Sequence, residues 1–127
     1  MGYSIAVANV NAIHDANDAL IGIPVEHWKG VFRPIILGWI PAVLFSDQWN
    51  IVIALTVYNL AVFWIAFDLL FNYHYGNDLT YIGNTAFLDK LARRLGDTRI
   101  ESFRLYLILK FLILVFSIIY VLAFYEV

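Results

Sequence analysis

The chain has 127 residues and a formal net charge of -2, and 62% of its residues are hydrophobic against 14% charged. Soluble globular domains hold about 45–50% apolar and about 25% charged residues, so the composition is typical of a membrane protein. The small net charge argues against a nucleic-acid partner, and the absence of cysteine excludes disulfides and thiolate metal sites. The length fits a single membrane domain over residues 1–127.

The first predicted element is an amphipathic helix over residues 4–21. Asn11, His14, Asp15 and Asp18 share one face at helical spacing, and apolar residues occupy the other faces. Pro24 ends the element because it removes a backbone donor and restricts the residue before it. We expect this helix to lie on the membrane interface or to dock on the helix bundle.

The first predicted span covers residues 31–45 and is short. It contains Pro34 near its start, where a helix tolerates proline, and Pro41 in its interior, where a kink or break is expected. A re-entrant hairpin is the alternative interpretation of this segment.

Two longer helices follow. Residues 51–71 form the clearest span, about 21 residues and about 31 Å long. Residues 99–124 form the third, and Thr98 and Glu101 fit a capping box at its start. Between them, residues 85–96 predict a short interfacial helix with a charged face and Gly96 as its stop. The predicted class is an all-α membrane protein with about three transmembrane helices.

The positions of the basic residues predict the topology. Five of the 8 Lys and Arg residues lie between the second span and the first turn of the third (Lys90, Arg93, Arg94, Arg99 and Arg104). Cationic loops stay on the cytoplasmic side. We therefore expect the N-terminus and the loop over residues 72–102 to be cytoplasmic, with the C-terminus on the opposite side.

Several polar residues fall at the cytoplasmic end of these spans, among them Arg33, Asp68, Asn72 and Lys110. An unpaired charge in hydrocarbon costs at least about 2.5–3.5 kcal/mol, so we expect Asp68 to pair with Arg33 or Lys110. The cluster either fixes helix register, with Asn72 satisfying loop backbone, or lines a polar cavity for a proton, an ion or a lipid headgroup.

Three further polar positions have two interpretations each. Asn59, near the middle of the second span, bonds within the bundle or marks a helix association face. His14 and Asp18 form a solvated polar face or contribute to a metal site. Two ligand types on one helix are a weak signal for a metal site, so we expect no metal. We also expect no cofactor and no catalytic residue, because the sequence has no recognisable catalytic signature.

A series of short motifs runs along the middle of the chain. It consists of Phe67-Asp68, Asn72, Gly76, the run Tyr81-Ile82-Gly83-Asn84-Thr85 and Asp89-Lys90-Leu91, with His14 to Asp18 as a second element. This pattern resembles one found in small integral membrane proteins encoded by bacteriophages. The resemblance covers roughly residues 14 to 95 and implies a phage or prophage setting without implying an activity. It marks His14, Asp18, Tyr81, Gly83 and Asp89 as candidate family positions, with structural roles.

These patterns favour a non-enzymatic membrane component that packs into a homo-oligomer or a larger assembly, as a structural or accessory part of a phage particle or a phage-modified membrane. Its partners would be the lipid bilayer and other proteins of the assembly. A holin or pore-like permeabiliser is the first alternative. The second is a small lipid-acting enzyme or an ion- or proton-binding protein, which requires His14, Asp18, Asp68 and His74 to converge.

Overall fold

Five α-helices make up the secondary structure of the described residues. The computed structural model describes residues 2–24, 27–82 and 87–124. The helices are α1 (Gly2–Leu20), α2 (His27–Phe45), α3 (Trp49–Tyr75), α4 (Phe87–Leu95) and α5 (Arg99–Phe124). No strand occurs in these ranges, which confirms the all-α class. Two helices, α3 and α5, are long and apolar enough to cross a membrane, and α2 contributes a shorter apolar segment over Phe32–Phe45.

The end of α3 differs from the sequence prediction. The prediction ended the helix at residue 71, where polar residues begin, but the helix continues to Tyr75. It stops at Gly76, whose left-handed backbone (φ 80°) lets its N–H reach the carbonyls of Asn72 and Tyr73. Stacked rings at four-residue spacing, with centroids 5.5–5.8 Å apart, run through this extension (Phe63, Phe67, Phe71 and Tyr75).

The proline-containing segment is one helix. α2 begins at His27, so Pro34 lies about two turns inside it instead of near its start. The helix also continues past Pro41 to Phe45. The re-entrant hairpin therefore does not describe this segment, because a hairpin requires the helix to end between the two prolines.

α1 is docked on the bundle along α3. Its buried residues are small and recur every four positions: Ser4, Ala8, Ala12 and Ala16. Small side chains let two helix backbones approach closely, which explains why this face makes the contact. The large apolar residues of α1 point outward instead, with Val10 67% and Leu20 62% exposed. The face that packs is thus the small-residue face and not the one with the most apolar surface.

α4 and α5 form a compact corner. The turn between them is tight at Gly96, where an added Cβ would lie 2.5 Å from the backbone nitrogen of Ser102. Thr98 and Glu101 exchange hydrogen bonds at the start of α5 (3.1 and 3.2 Å), which confirms the predicted capping box. A small apolar cluster of Ile82, Ala92 and Tyr106 holds α4 against α5.

The folded chain leaves much apolar surface exposed. Its accessible surface is 8208 Å². A compact monomer of 14.6 kDa has about 6,900 Å² by the usual scaling of surface with mass. The most apolar stretch of α5 is only 17% buried and that of α3 33% buried. Both candidate spans therefore leave most of their apolar residues at least partly exposed.

Replacing Ala12 with leucine tests the close contact between α1 and α3. Ala12 is fully buried, so three additional carbons have to push the helices apart and should cost about 1–3 kcal/mol. The measurement is thermal unfolding in mild detergent. Ala6→Leu, on the exposed side of the same helix, is the matched control and should leave the midpoint nearly unchanged. Equal effects of the two substitutions would contradict the contact.

Candidate functional site

A buried lysine of α5 meets an aspartate of α3. The Lys110 ammonium contacts the Asp68 carboxylate and also donates to the backbone carbonyl of Trp64 at 3.2 Å. The Tyr106 hydroxyl donates to the same carboxylate oxygen at 2.7 Å. We call Asp68, Tyr106 and Lys110 the Asp68 cluster. Lys110 is 3% exposed, whereas the Asp68 side chain keeps 32% of its surface exposed.

The helical repeat explains how the Asp68 cluster forms. Trp64 and Asp68 lie one turn apart on α3, and Tyr106 and Lys110 lie one turn apart on α5, so each pair shares a face. The two helices run antiparallel, and these faces meet. The Lys110 ammonium lies 4.2 Å from the Tyr106 ring centroid and 5.9 Å from that of Trp64. Aromatic faces attract a cation, so the rings add to the stabilisation of the lysine.

α4 contributes a second carboxylate to this region. Asp89 is 7% exposed, and its carboxyl group also interacts with the Tyr106 hydroxyl. Tyr106 therefore connects the acids of α3 and α4. The arrangement holds three helices in register, and it gathers two carboxylates, one phenol and one ammonium at one end of the bundle.

The sequence analysis predicted Arg33 or Lys110 as the partner of Asp68, and in the structure the partner is Lys110. Arg33 lies elsewhere and donates to the Asn11 side chain at 3.4 Å. Burial raises the pKa of the Asp15 carboxyl. The nearby His14 and Arg33 offset this effect only in part. Arg33 therefore belongs to the contact between α1 and α2.

Asn72 holds the loop that follows α3. Its amide donates to the backbone carbonyl of Tyr81 at 2.8 Å, and its side-chain oxygen accepts from Asn77 at 3.4 Å. Beyond it, Asp78 pairs with Arg99 at 3.6 Å. Hydrogen bonds from Thr80 and the nearby arginine lower the pKa of Asp78. Gly83, another candidate family position, lies outside the described residues, so its environment stays a prediction.

Asn59 connects three helices. Its side-chain oxygen accepts from the Ser4 hydroxyl of α1 at 2.9 Å, and its amide nitrogen donates to the Gly38 carbonyl of α2 at 3.1 Å. An added Cβ on Gly38 would lie 3.1 Å from the Asn59 Cβ, so α2 and α3 approach closely at this point. Both the oxygen and the nitrogen of the Asn59 amide therefore have hydrogen-bond partners within the chain.

The histidines and acids of the enzyme alternative lie in separate groups. His14 contacts Asp18 at 3.2 Å and Asp15 at 3.7 Å, and its side chain is 63% exposed. His74 bonds to the Asn9 side chain at 3.2 Å. None of these contacts includes a member of the Asp68 cluster. Over residues 2–24, 27–82 and 87–124, no three His, Asp or Glu side chains are arranged to hold a metal ion.

Two contributors to these contacts carried signals that the sequence reasoning did not use. Tyr106 precedes Lys110 by one helical turn, which places both on one face. Ser4 begins the four-residue repeat of small side chains on α1. In each case, a spacing of four residues from a polar or small residue identifies side chains on the same packed face of the helix.

Comparison with known proteins does not assign a family. No family model matches this chain, and neither a curated protein nor a solved structure matches it. The function is therefore argued from the geometry of the chain itself.

Lys110→Met tests the buried ion pair. The substitution leaves Asp68 without its cation, and we expect a loss of about 2 kcal/mol, below the usual range for buried pairs because Asp68 is partly exposed. The measurement is unfolding in mild detergent by circular dichroism. Adding Asp68→Asn should recover part of the loss, since the uncompensated carboxylate is then removed. Arg104→Gln, an exposed cation on the same helix, is the control. Additive effects of the two cluster substitutions would contradict the pairing.

Asn59→Leu tests the connection between α1, α2 and α3. It removes both interhelical hydrogen bonds, each worth about 0.6 kcal/mol between membrane helices, so we expect a loss of about 1 kcal/mol. The unfolding midpoint reports the effect, and Asn50→Leu at an exposed position of the same helix is the control. If Asn59→Leu instead changed the oligomeric mass without changing stability, the amide would serve an association face.

Proposed function

We propose that this chain is a multi-pass integral membrane protein with a structural role, which packs through its outer helix faces into an oligomer or a larger assembly. The observation that supports this proposal most directly is the exposed apolar surface of α5. Eleven large apolar side chains of this helix are at least 39% exposed (Ile100, Ile108, Phe111, Leu112, Val115, Phe116, Ile118, Ile119, Tyr120, Leu122 and Phe124). In water such a surface would drive aggregation, whereas hydrocarbon solvates it.

The polar interior supports the same proposal. Within hydrocarbon, a polar side chain has to find its partner inside the protein, because no water is available. Asn59 and Lys110 both meet this requirement through contacts between helices. No buried side-chain nitrogen or oxygen in the described parts of the chain lacks a hydrogen-bond partner.

In the proposed topology α2, α3 and α5 are the three spans. α2 is the shortest, but its exposed residues continue the apolar surface, including Ile36 and Leu44 at 57% and 81% exposure. Helix α4 and the first turns of α5 carry five of the 8 Lys and Arg residues, and in this topology they lie with the loop after α3 on the cytoplasmic side. The turn between α2 and α3 and the end of α5 are placed on the opposite side.

Assembly is the proposed use of this surface. The exposed faces of α2 and α5 are rich in aromatic and β-branched residues that pack well against other helices or lipid. Few polar side chains follow the length of α5, which favours packing over a water-filled pore. The phage setting rests on the sequence resemblance alone, and within it the chain would be a component of a particle or of a phage-modified membrane.

Labelling of single introduced cysteines tests the topology. The chain has no cysteine of its own, so each substitution is the sole reporter. We expect Asp47→Cys to react with a membrane-impermeant maleimide in intact cells. Asp97→Cys and Ile23→Cys should react only after the membrane is opened. Labelling of positions 47 and 97 from the same side would show that α3 does not cross. Labelling of positions 23 and 47 from the same side would remove α2 as a span.

The mass in mild detergent tests the assembly. We expect the purified chain to elute as more than one copy or together with partner proteins, and light scattering separates protein mass from detergent mass. A single chain without a partner would contradict the structural proposal. Dye release from liposomes distinguishes the pore alternative, which predicts leakage at a low protein-to-lipid ratio, whereas the structural role predicts none.

A further inference from the structure

The basic side chains of this protein differ in whether the fold uses them. Four of those that the structure describes contact other groups of the chain: Arg33, Arg93, Arg99 and Lys110. Three exposed ones have neither an ion pair nor a hydrogen bond among the described residues: Lys90, Arg94 and Arg104. All three belong to α4 or to the first turns of α5. Among the basic side chains that the structure describes, the uncommitted positive charge therefore lies on α4 and the start of α5.

α4 separates its acid from its bases. Asp89 and Ala92 are buried at 7% and 0% exposure, while Lys90 and Arg94 lie one turn apart on the exposed side. Residues at this spacing have Cβ atoms about 5–6 Å apart, so both side chains can reach one anionic group from neighbouring directions. Since Asp89 points inward, it does not offset the charge of this face. The outer side of α4 is cationic although the helix contains an acid.

The position of α4 determines which anion it meets. The helix lies in the chain between the last residue of α3 and the first residue of α5. It is therefore at the end of the bundle where α3 ends and α5 begins. An apolar side chain is exposed beside these cations, because Leu95 follows Arg94 in the helix and is 61% exposed. A surface that combines cations with exposed apolar side chains suits the headgroup region of a bilayer, where both find favourable contacts.

We infer that Lys90 and Arg94 bind the phosphate groups of anionic lipids in the leaflet at this end of the bundle. The inference rests on the proposed membrane function. A lipid headgroup fits better than an extended polyanion, because exposed acids interrupt the positive surface around α4, among them Asp97 and Glu101. The cationic site is therefore small, and its size matches one or two headgroup phosphates.

The test uses the full chain in vesicles of phosphatidylcholine and phosphatidylglycerol, extracted into mild detergent and analysed by native mass spectrometry. We expect the wild type to retain phosphatidylglycerol above its share of the bilayer. Lys90→Gln with Arg94→Gln should lower this enrichment by about tenfold or more, since each cation near an anionic surface contributes about 1 kcal/mol. Lys90→Arg with Arg94→Lys keeps the charge and should keep the enrichment.

Flotation of the same vesicles separates failure of this inference from failure of the proposed function. A chain that does not float with vesicles would contradict both. A chain that floats without enriching phosphatidylglycerol, or whose Gln variant keeps the enrichment, would overturn the lipid site alone. Loss of the bound lipid in inorganic phosphate, but not in chloride of equal ionic strength, would assign the site to free phosphate and also overturn the inference.

Discussion

A polar side chain among apolar helices has to be satisfied by another part of the chain, and the arrangement of this protein depends on that constraint. Lys110 is almost fully buried and reaches the Asp68 carboxylate and the Trp64 carbonyl across the contact between α5 and α3. Breaking such a pair leaves a charge without a partner, which costs more than the pair contributes. We therefore expect the contact to fix the register of α5 on α3 more than it adds net stability.

α3 is the central helix because it carries the polar residues that the other elements use. Asn59 bonds to α1 and α2, Asp68 bonds to α5, and Asn72 holds the loop that leads to α4. These positions follow one another along the helix, so each neighbour is attached at a different height. Apolar packing, such as that of Ala61 and Val62 against Leu114, fills the space between them. We expect the polar contacts to set the register of the helices that pack on α3.

The small residues of α1 connect this packing with the proposed membrane setting. A helix that buries alanine and exposes valine and leucine is inverted relative to a helix of a soluble protein, where the larger apolar residues face the core. In a bilayer the inversion is favourable, because lipid solvates the large side chains and small ones allow helices to approach. α5 shows this preference only in part: Ser102 and Ser117 are buried and the phenylalanines at positions 111, 116 and 124 are exposed, but Tyr106, Lys110 and Leu114 are buried as well.

Local sequence signals determined most of the helices and their ends. The helical class, the helix over residues 99–124 and the capping box at its start follow from hydrophobic blocks and from residues close to one another in the chain. The end of α3 did not follow, because polar side chains after residue 71 leave the backbone hydrogen bonds intact and only Gly76 provides the left-handed cap.

The contacts between helices were decided by the tertiary structure. The predicted topology placed Arg33 and Lys110 at the same depth as Asp68 and so limited its expected partner to these two. The choice between them depends on which helix faces meet, and that is set by packing over the whole bundle. The packed face of α1 and the partners of Asn59 were likewise decided by which helix faces meet. A pattern along one helix specifies its faces, whereas the neighbour of each face depends on the arrangement of all the helices.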